Sequence, residues 1–365
     1  MAVLLKLYCQ KKLVNSTPLH IIAFFFIITA VTLAYADEND KENLALKGII
    51  SNPQTESAAR KIGHFDIENG FERHYFYTLY QIGGKTLSRQ GFSYYHFPIS
   101  ELKFPLDVYM FYLDINLSFI DRLTIHFSMH SSINTRVGKM KDSDWVPYPK
   151  IKTIYSESDA RIKAVFNEID LTARLFTVSF FSLKAGIGFM HQYMNYSCSN
   201  LEQISFYDSS STTYIGNPSY IKLLGKALNY KIQYYFFTMQ ITPLVTVHIG
   251  GGALEIAAAI RFSPYIKAKD IDDHILRGKT SKGESTGTAF MPTLRIYYIF
   301  NTRIFITAKL EYMYLTTKGE QNQYYYNPFL DFSTGNIPGW SATIEYKTKS
   351  EQLSVSLGAG YSFEF

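Results

Sequence analysis

Leu353-Ser354-Val355-Ser356-Leu357-Gly358-Ala359-Gly360-Tyr361-Ser362-Phe363-Glu364-Phe365 alternates without a break. Leu353, Val355, Leu357, Ala359, Tyr361, Phe363 and Phe365 share one face of an extended chain. Ser354, Ser356, Gly358, Gly360, Ser362 and Glu364 share the other, because successive strand side chains point to opposite faces. A terminal aromatic closing such a strand is the pattern of an outer-membrane β-barrel.

The same alternation recurs upstream. Leu123, Ile125, Phe127 and Met129 alternate with Thr124, His126, Ser128 and His130. Ile169, Leu171, Ala173 and Leu175 alternate with Asp170, Thr172 and Arg174. Ile304, Ile306, Ala308, Leu310 and Tyr312 alternate with Thr307, Lys309 and Glu311. A soluble sandwich would turn the apolar face inward. Charges such as Glu168, Asp170, Arg174, Lys309 and Glu311 on the second face favour a membrane barrel, with apolar residues toward lipid and an ion-paired interior.

Composition agrees. The chain has 29 Tyr and 28 Phe but only 18% charged residues, which suits aromatic girdles at two membrane interfaces. A net charge of +5 is too small to argue for nucleic acid, although a basic rim could meet anionic lipid heads. Of two cysteines, Cys9 falls in an N-terminal segment read below as a signal peptide and Cys198 stands alone, so neither an intrachain disulfide nor a Cys metal cluster is expected.

Lys11 and Lys12 precede the apolar run Ile21 to Ala34, and Ala34-Tyr35-Ala36 offers small residues for a signal peptidase. Residues 1–36 are therefore expected to be a signal peptide and 37–60 a mobile leader. Residues 61–365 are expected to form one all-β domain, an antiparallel transmembrane β-barrel of about ten strands. Ile82-Gly83-Gly84, Asp121-Arg122, Gly250-Gly251-Gly252 and Asn301-Thr302 read as turns. Polar stretches near 138–160, 197–226, 269–288 and 317–340 read as long outer loops.

Two acidic clusters fall where alternating runs meet these stretches. Gly138-Lys139-Met140-Lys141-Asp142-Ser143-Asp144-Trp145 is the first, and Asp270-Ile271-Asp272-Asp273-His274, followed by Gly278-Lys279, is the second. With the N-terminus in the periplasm they close the third and seventh strands, both at the outer rim. Two nearby carboxylates resist ionising together and can hold a water. A histidine oriented by a carboxylate can take a proton near neutral pH. Together they could activate water against a peptide carbonyl. Taken singly, each has an ordinary reading: a solvated Asp-x-Asp pair, an inert rim histidine, or carboxylates around a cation. Gly84-Lys85-Thr86 and Gly278-Lys279-Thr280 lack the upstream glycine of a phosphate loop, and no zinc-binding helix or Gly-x-Ser-x-Gly elbow occurs.

The two clusters together resemble the omptins, outer-membrane proteases with a ten-stranded barrel. Gly138 to Trp145 matches their Gly-x-Met-x-Asp-x-Asp-Trp signature, and Asp270, Asp272, His274, Gly278 and Lys279 match the second. Asn167-Glu168-Ile169-Asp170-Leu171 and Gly83-Gly84-Lys85 are lesser anchors. The resemblance implies that Asp142 and Asp144 are the catalytic acidic pair and Asp272 with His274 the catalytic dyad of an aspartyl-type endopeptidase. It implies that Asp270 binds a basic residue before the scissile bond, with Glu72, of Glu72-Arg73, as the second acidic wall once a few residues are inserted before Gly83.

Two departures matter. The family's acidic residue for the position after the scissile bond aligns with Ser156, beside Glu157. The lipopolysaccharide-contacting Tyr-x-Glu-x-Arg pattern reads Phe189-x-His191-x-Tyr193, so lipid engagement is either rebuilt from residues such as Lys184 or directed at a different lipid. No cofactor or metal is called for; bound lipopolysaccharide is the added requirement that the resemblance raises. The expected partners are polypeptides with basic residues and outer-membrane lipid, and a monomer is expected. The alternative is a catalytically silent barrel, an adhesin or narrow porin, although an interior packed with charged pairs argues against a wide pore.

Overall fold

The computed structural model describes residues 63–119, 122–145, 151–208, 213–300, 303–327 and 338–364. The signal peptide, the leader and the turn signals at Asp121 and Asn301-Thr302 lie outside the described residues. The strands are β1 (Gly63–Ser88), β2 (Gly91–Pro105), β3 (Val108–Phe119), β4 (Leu123–Ser132), β5 (Arg136–Asp144) and β6 (Ile154–Val178). They continue as β7 (Phe181–Asp208), β8 (Thr213–Ile249), β9 (Gly252–His274), β10 (Lys279–Ile299), β11 (Ile304–Tyr325) and β12 (Gly339–Glu364). Among the described residues no helix is long and apolar enough to cross a membrane; the strands do so instead.

All twelve strands form one antiparallel sheet, and β12 pairs with β1 from His64↔Glu364 to Ser88↔Ala342, closing the ring. Ten staves make that ring. β2 and β3 lie end to end along β1, and Leu106 between them still donates its N–H to Phe76 O at 2.9 Å. β4 and β5 lie end to end along β6 in the same way. Closure leaves no sheet edge to the lipid.

Gly63 and Glu364 share one end with the short connections β3–β4, β6–β7, β8–β9 and β10–β11. Short turns belong on the periplasmic side, so the other end faces outward. The expected long loops are mostly strand: β7, β8, β9 and β10 run through much of 197–226 and 269–288. Ile82-Gly83-Gly84 is not a turn but a bulge within β1, which continues to Ser88. A bulge and a turn use the same glycine signal.

A tilted membrane strand needs about 9–11 residues. Most of these strands, and the end-to-end pairs β2–β3 and β4–β5, are much longer, and their hydropathy alternation changes phase where they leave the bilayer. On β8, Phe237, Met239 and Ile241 are exposed on the outside while Thr238 and Gln240 face in. Further up the same strand, Ile232, Tyr234 and Phe236 are buried inside, with Lys231 and Gln233 outside. β6 repeats this. Ile169 and Leu171 are exposed outside Asp170, but Ile162 and Ala164 are buried inside Arg161 and Lys163. Lipid solvates apolar residues below the crossover and water above it, so the apolar face must switch sides.

The interior is therefore two-storeyed. In the membrane half, Arg261 donates to both Glu168 oxygens at 2.6 and 2.7 Å and to Asp170 at 2.8 Å. Arg295 bridges Glu68 at 2.5 Å and Asp114 at 3.1 Å. These pairs surround a cavity of about 340 Å³. Lys184 lines this cavity, so it cannot serve the outer lipid contact raised from the sequence. Its place on the strand is inward: Phe189 and Ile187 are the exposed residues of β7. Above lies an apolar plug in which Phe104 stacks on Tyr230 at 4.5 Å, with Tyr196, Met194, Ile232, Phe236 and Tyr346 fully or nearly fully buried. Such ring pairs contribute about 0.5–1.5 kcal/mol beyond their buried area.

Candidate active site

Carboxylates that point inward above the crossover stand among apolar side chains, and Asp142, Asp144, Asp270 and Asp272 do so. β9 places Asp270 and Asp272 on its inner face, 4% and 1% exposed, while Ile271 faces out. β5 places Asp142 and Asp144 beside buried Met140, with Lys139 and Lys141 on its outer face. Both signature glycines have conformational reasons. Gly138 holds φ +102° at the bulge that begins β5, and Gly278 holds φ +57° after a 3-10 turn, Ile275–Arg277. That turn brings Lys279 back to pair with His274. A side chain at either glycine would be strained.

His274 Nε2 lies 2.7 Å from Asp272 Oδ2, with the imidazole 18% exposed at the cleft. Asp272 Oδ1 is buried without a hydrogen-bond partner, so the carboxylate is committed to the ring. The two clusters meet across the cleft through Arg277, whose Nη2 lies 3.9 Å from Asp144 Oδ2. Burial, then the neighbouring charges of Asp144 and Asp272, push the Asp142 carboxyl well above the usual carboxylate range, while Arg277 opposes them. Two carboxylates this close in a buried place resist ionising together, and Asp142 holds its proton to higher pH than an ordinary carboxyl.

Asp270 lies deeper, in an aromatic cradle. Tyr80, Tyr230 and Tyr346 pack together, with ring centroids 5.3 Å apart for Tyr80–Tyr230 and 5.8 Å for Tyr80–Tyr346. Tyr80 donates its hydroxyl to Gln321. Gly283, opposite Asp270 on β10, lets the carboxylate and the Tyr346 ring pack against bare backbone: a Cβ there would lie 2.2 Å from Asp270 Oδ1 and 2.7 Å from the Tyr346 ring. Burial, with the adjacent Asp272 charge, pushes the Asp270 carboxyl up to about 7, while the nearby Tyr346 hydroxyl acts in the opposite direction.

Glu72 is not brought to this cradle. It pairs with Met110 and Ser356 far down β1, whereas Tyr80 of the same strand reaches the cradle. Its carboxylate is buried between His74 Nε2 at 2.7 Å and His130 Nδ1 at 2.9 Å. Ser156 pairs with Asp142 and is 1% exposed, and Glu157 turns outward to Tyr155, Lys139 and Lys141.

The sequence reasoning missed Tyr80, Tyr230, Tyr346 and Arg277. The run Leu228, Tyr230, Ile232, Tyr234, Phe236, alternating with Asn229, Lys231 and Gln233, carried the signal for one wall. Among the described residues the one grouping with metal-ligand spacing is His126, Glu168 and Asp170, inside the membrane half. Arg261 already bonds both of its carboxylates, so a cation would have to displace a guanidinium there.

The fold matches the outer membrane protease OmpT from Escherichia coli with a TM-score of 0.65 and 15% identity, covering 85% of this chain and 99% of that one. The outer membrane protein OprG from Pseudomonas aeruginosa matches at TM-score 0.35 and 12% identity, over 83% and 97% of the chains. The translocator domain of the autotransporter NalP from Neisseria meningitidis matches at TM-score 0.33 and 11% identity, over 92% and 98%. No curated protein sequence matches the chain. The model of the Omptin family matches residues 96–363, and with most of the chain inside that match, this bacterial outer-membrane barrel belongs to the omptin family.

Proposed function

We propose that this omptin barrel, an outer-membrane protease by family, hydrolyses exposed polypeptides after a Lys or Arg by general-base attack of water. The observation that carries the reading is the His274–Asp272 contact of 2.7 Å, with the Asp142–Asp144 pair brought to the same site by the 3.9 Å approach of Arg277 to Asp144. With Nε2–H donated to Asp272, Nδ1 of His274 keeps the lone pair. It takes a proton from the water as the oxygen attacks the carbonyl. The protonated Asp142 carboxyl stabilises the developing oxyanion by donating a hydrogen bond from its O–H, keeping its proton, and Asp144 helps hold the water. Collapse releases the amine, which takes the proton back from the imidazolium, so no metal or covalent intermediate is required. Each proton transfer of this kind contributes about 10²–10⁴ in rate.

Asp270 in its tyrosine cradle receives the basic side chain. A cation entering the cradle stabilises the carboxylate form, and the ring faces add cation–π attraction of about 0.5–2 kcal/mol. Lipid is engaged from the outer wall just above the crossover, by Lys163 and Lys231 near Tyr193 and Tyr235, in place of the family pattern. The chain closes its own ring and acts as a monomer.

The test is purified protein in detergent with added lipopolysaccharide, given a mixed-sequence peptide, with products mapped by mass spectrometry. Cleavage confined to bonds following Lys or Arg is expected. Cleavage elsewhere would remove the role of Asp270, and none at all would remove the reading.

A further inference from the structure

The wall opposite Asp270 offers no carboxylate to a second basic residue. Ser156 stands in register with Asp142, and Glu157 is bound on the outer face to Tyr155 at 2.6 Å and to Lys139 and Lys141 at 3.8 Å. A cation occupies this side instead. Arg277 ends the 3-10 turn with its side chain 43% exposed and its guanidinium 3.9 Å from Asp144.

The cradle fixes the path of a substrate. A basic side chain on Asp270 is held by β8, β9, β10 and β12, beneath the His274–Asp272 pair. The carbonyl of that residue then meets water between the dyad and the Asp142–Asp144 pair. The chain leaving the scissile bond must pass the β5–β6 wall, and its first side chain meets Ser156 and Arg277.

We propose that Arg277 sets the specificity on the far side of the scissile bond: it disfavours a basic residue there and favours Asp or Glu. The inference rests on the proteolytic reading above, which supplies the position of the bond. Its physical ground is ordinary. A guanidinium forms paired hydrogen bonds with a carboxylate, and juxtaposed like charges in a partly buried site oppose binding.

Three peptides carrying one Lys before the bond, and Asp, Ala or Arg after it, test this with the purified full chain in detergent and lipopolysaccharide. The expected order of kcat/KM is Asp, then Ala, then Arg, with about tenfold or more between the ends. The Asp-to-Arg ratio should shrink as salt rises, because screening weakens both effects. Arg277→Gln should flatten the ratio and Arg277→Glu should reverse it. Ser156→Asp, in a chain that keeps Arg277, should recover cleavage of the Arg peptide, which covers the case of a misfolded Arg277→Glu chain. Equal rates on all three peptides, or a ratio unchanged in Arg277→Gln, would overturn the inference while leaving the proteolytic reading intact. No cleavage of any peptide would overturn both.

Discussion

At the scale of single residues, the site depends on charges placed where the wall is otherwise apolar. Removing His274 or Asp142 as alanine should lower kcat by at least about 10²-fold, with KM changed far less, as measured on one Lys peptide. Asp142 is held protonated well above the usual carboxylate range by burial and by Asp144. The rate should therefore fall on the alkaline side as that proton leaves. Asp142→Asn, which keeps a donor at the same point, should retain more activity than Asp142→Ala. Asp270 supplies a stability prediction. Its carboxyl rises from 3.8 to about 7 on folding, so between those values the native chain holds a proton that the unfolded chain has released. Stability must fall as pH rises through that window, by on the order of 4 kcal/mol in full. Asp270→Asn should unfold at a higher temperature than the natural chain at pH 8 and at the same temperature at pH 4. These carboxylates and His274 were legible in the sequence because two spaced motifs named them. Arg277 was not, because its meaning depends on a turn that carries it across to Asp144.

At the scale of elements, the strands are held differently above and below the membrane surface. Phe104 of β2 is fully buried and stacks on Tyr230 of β8, which also forms part of the Asp270 cradle. Phe104→Ala should cost about 3–5 kcal/mol of stability in denaturant unfolding and should also raise KM for Lys peptides, because the Tyr230 ring loses its support. The terminal β12 alternation was read correctly, as were the runs in β4, β6 and β11. What the sequence did not yield was the crossover, since a polar-in face was assumed along whole strands. The phase change on β8, from Phe237, Met239 and Ile241 outward to Ile232, Tyr234 and Phe236 inward, is visible in the residues once water and lipid are both considered. Glu72 failed for a related reason. Its motif match required an insertion, and β1 places it low, against His74 and His130, where the interior is polar.

At the scale of the whole molecule, the ten staves form a closed wall with a charged lower interior and an aromatic upper plug. Arg261 with Glu168 and Asp170, and Arg295 with Glu68 and Asp114, tie non-adjacent strands together across the lower interior. Phe104, Tyr230 and Tyr346 fill the passage above them. A porin needs an open aqueous lumen. Planar-bilayer recordings should accordingly show no steady large conductance; porin-like currents would mean that the plug is not the resting state. The same closed wall positions the rim. With Gly63 and Glu364 at the periplasmic end, Asp142, Asp144, Asp272 and His274 all face the exterior.

The most direct test places the intact protein in the outer membrane of living cells and adds a Lys-containing peptide to the medium. Cells carrying the natural chain should release fragments cut after Lys, and cells carrying an equal surface amount of His274→Ala should release none above background. Equal cleavage by the two would contradict the account.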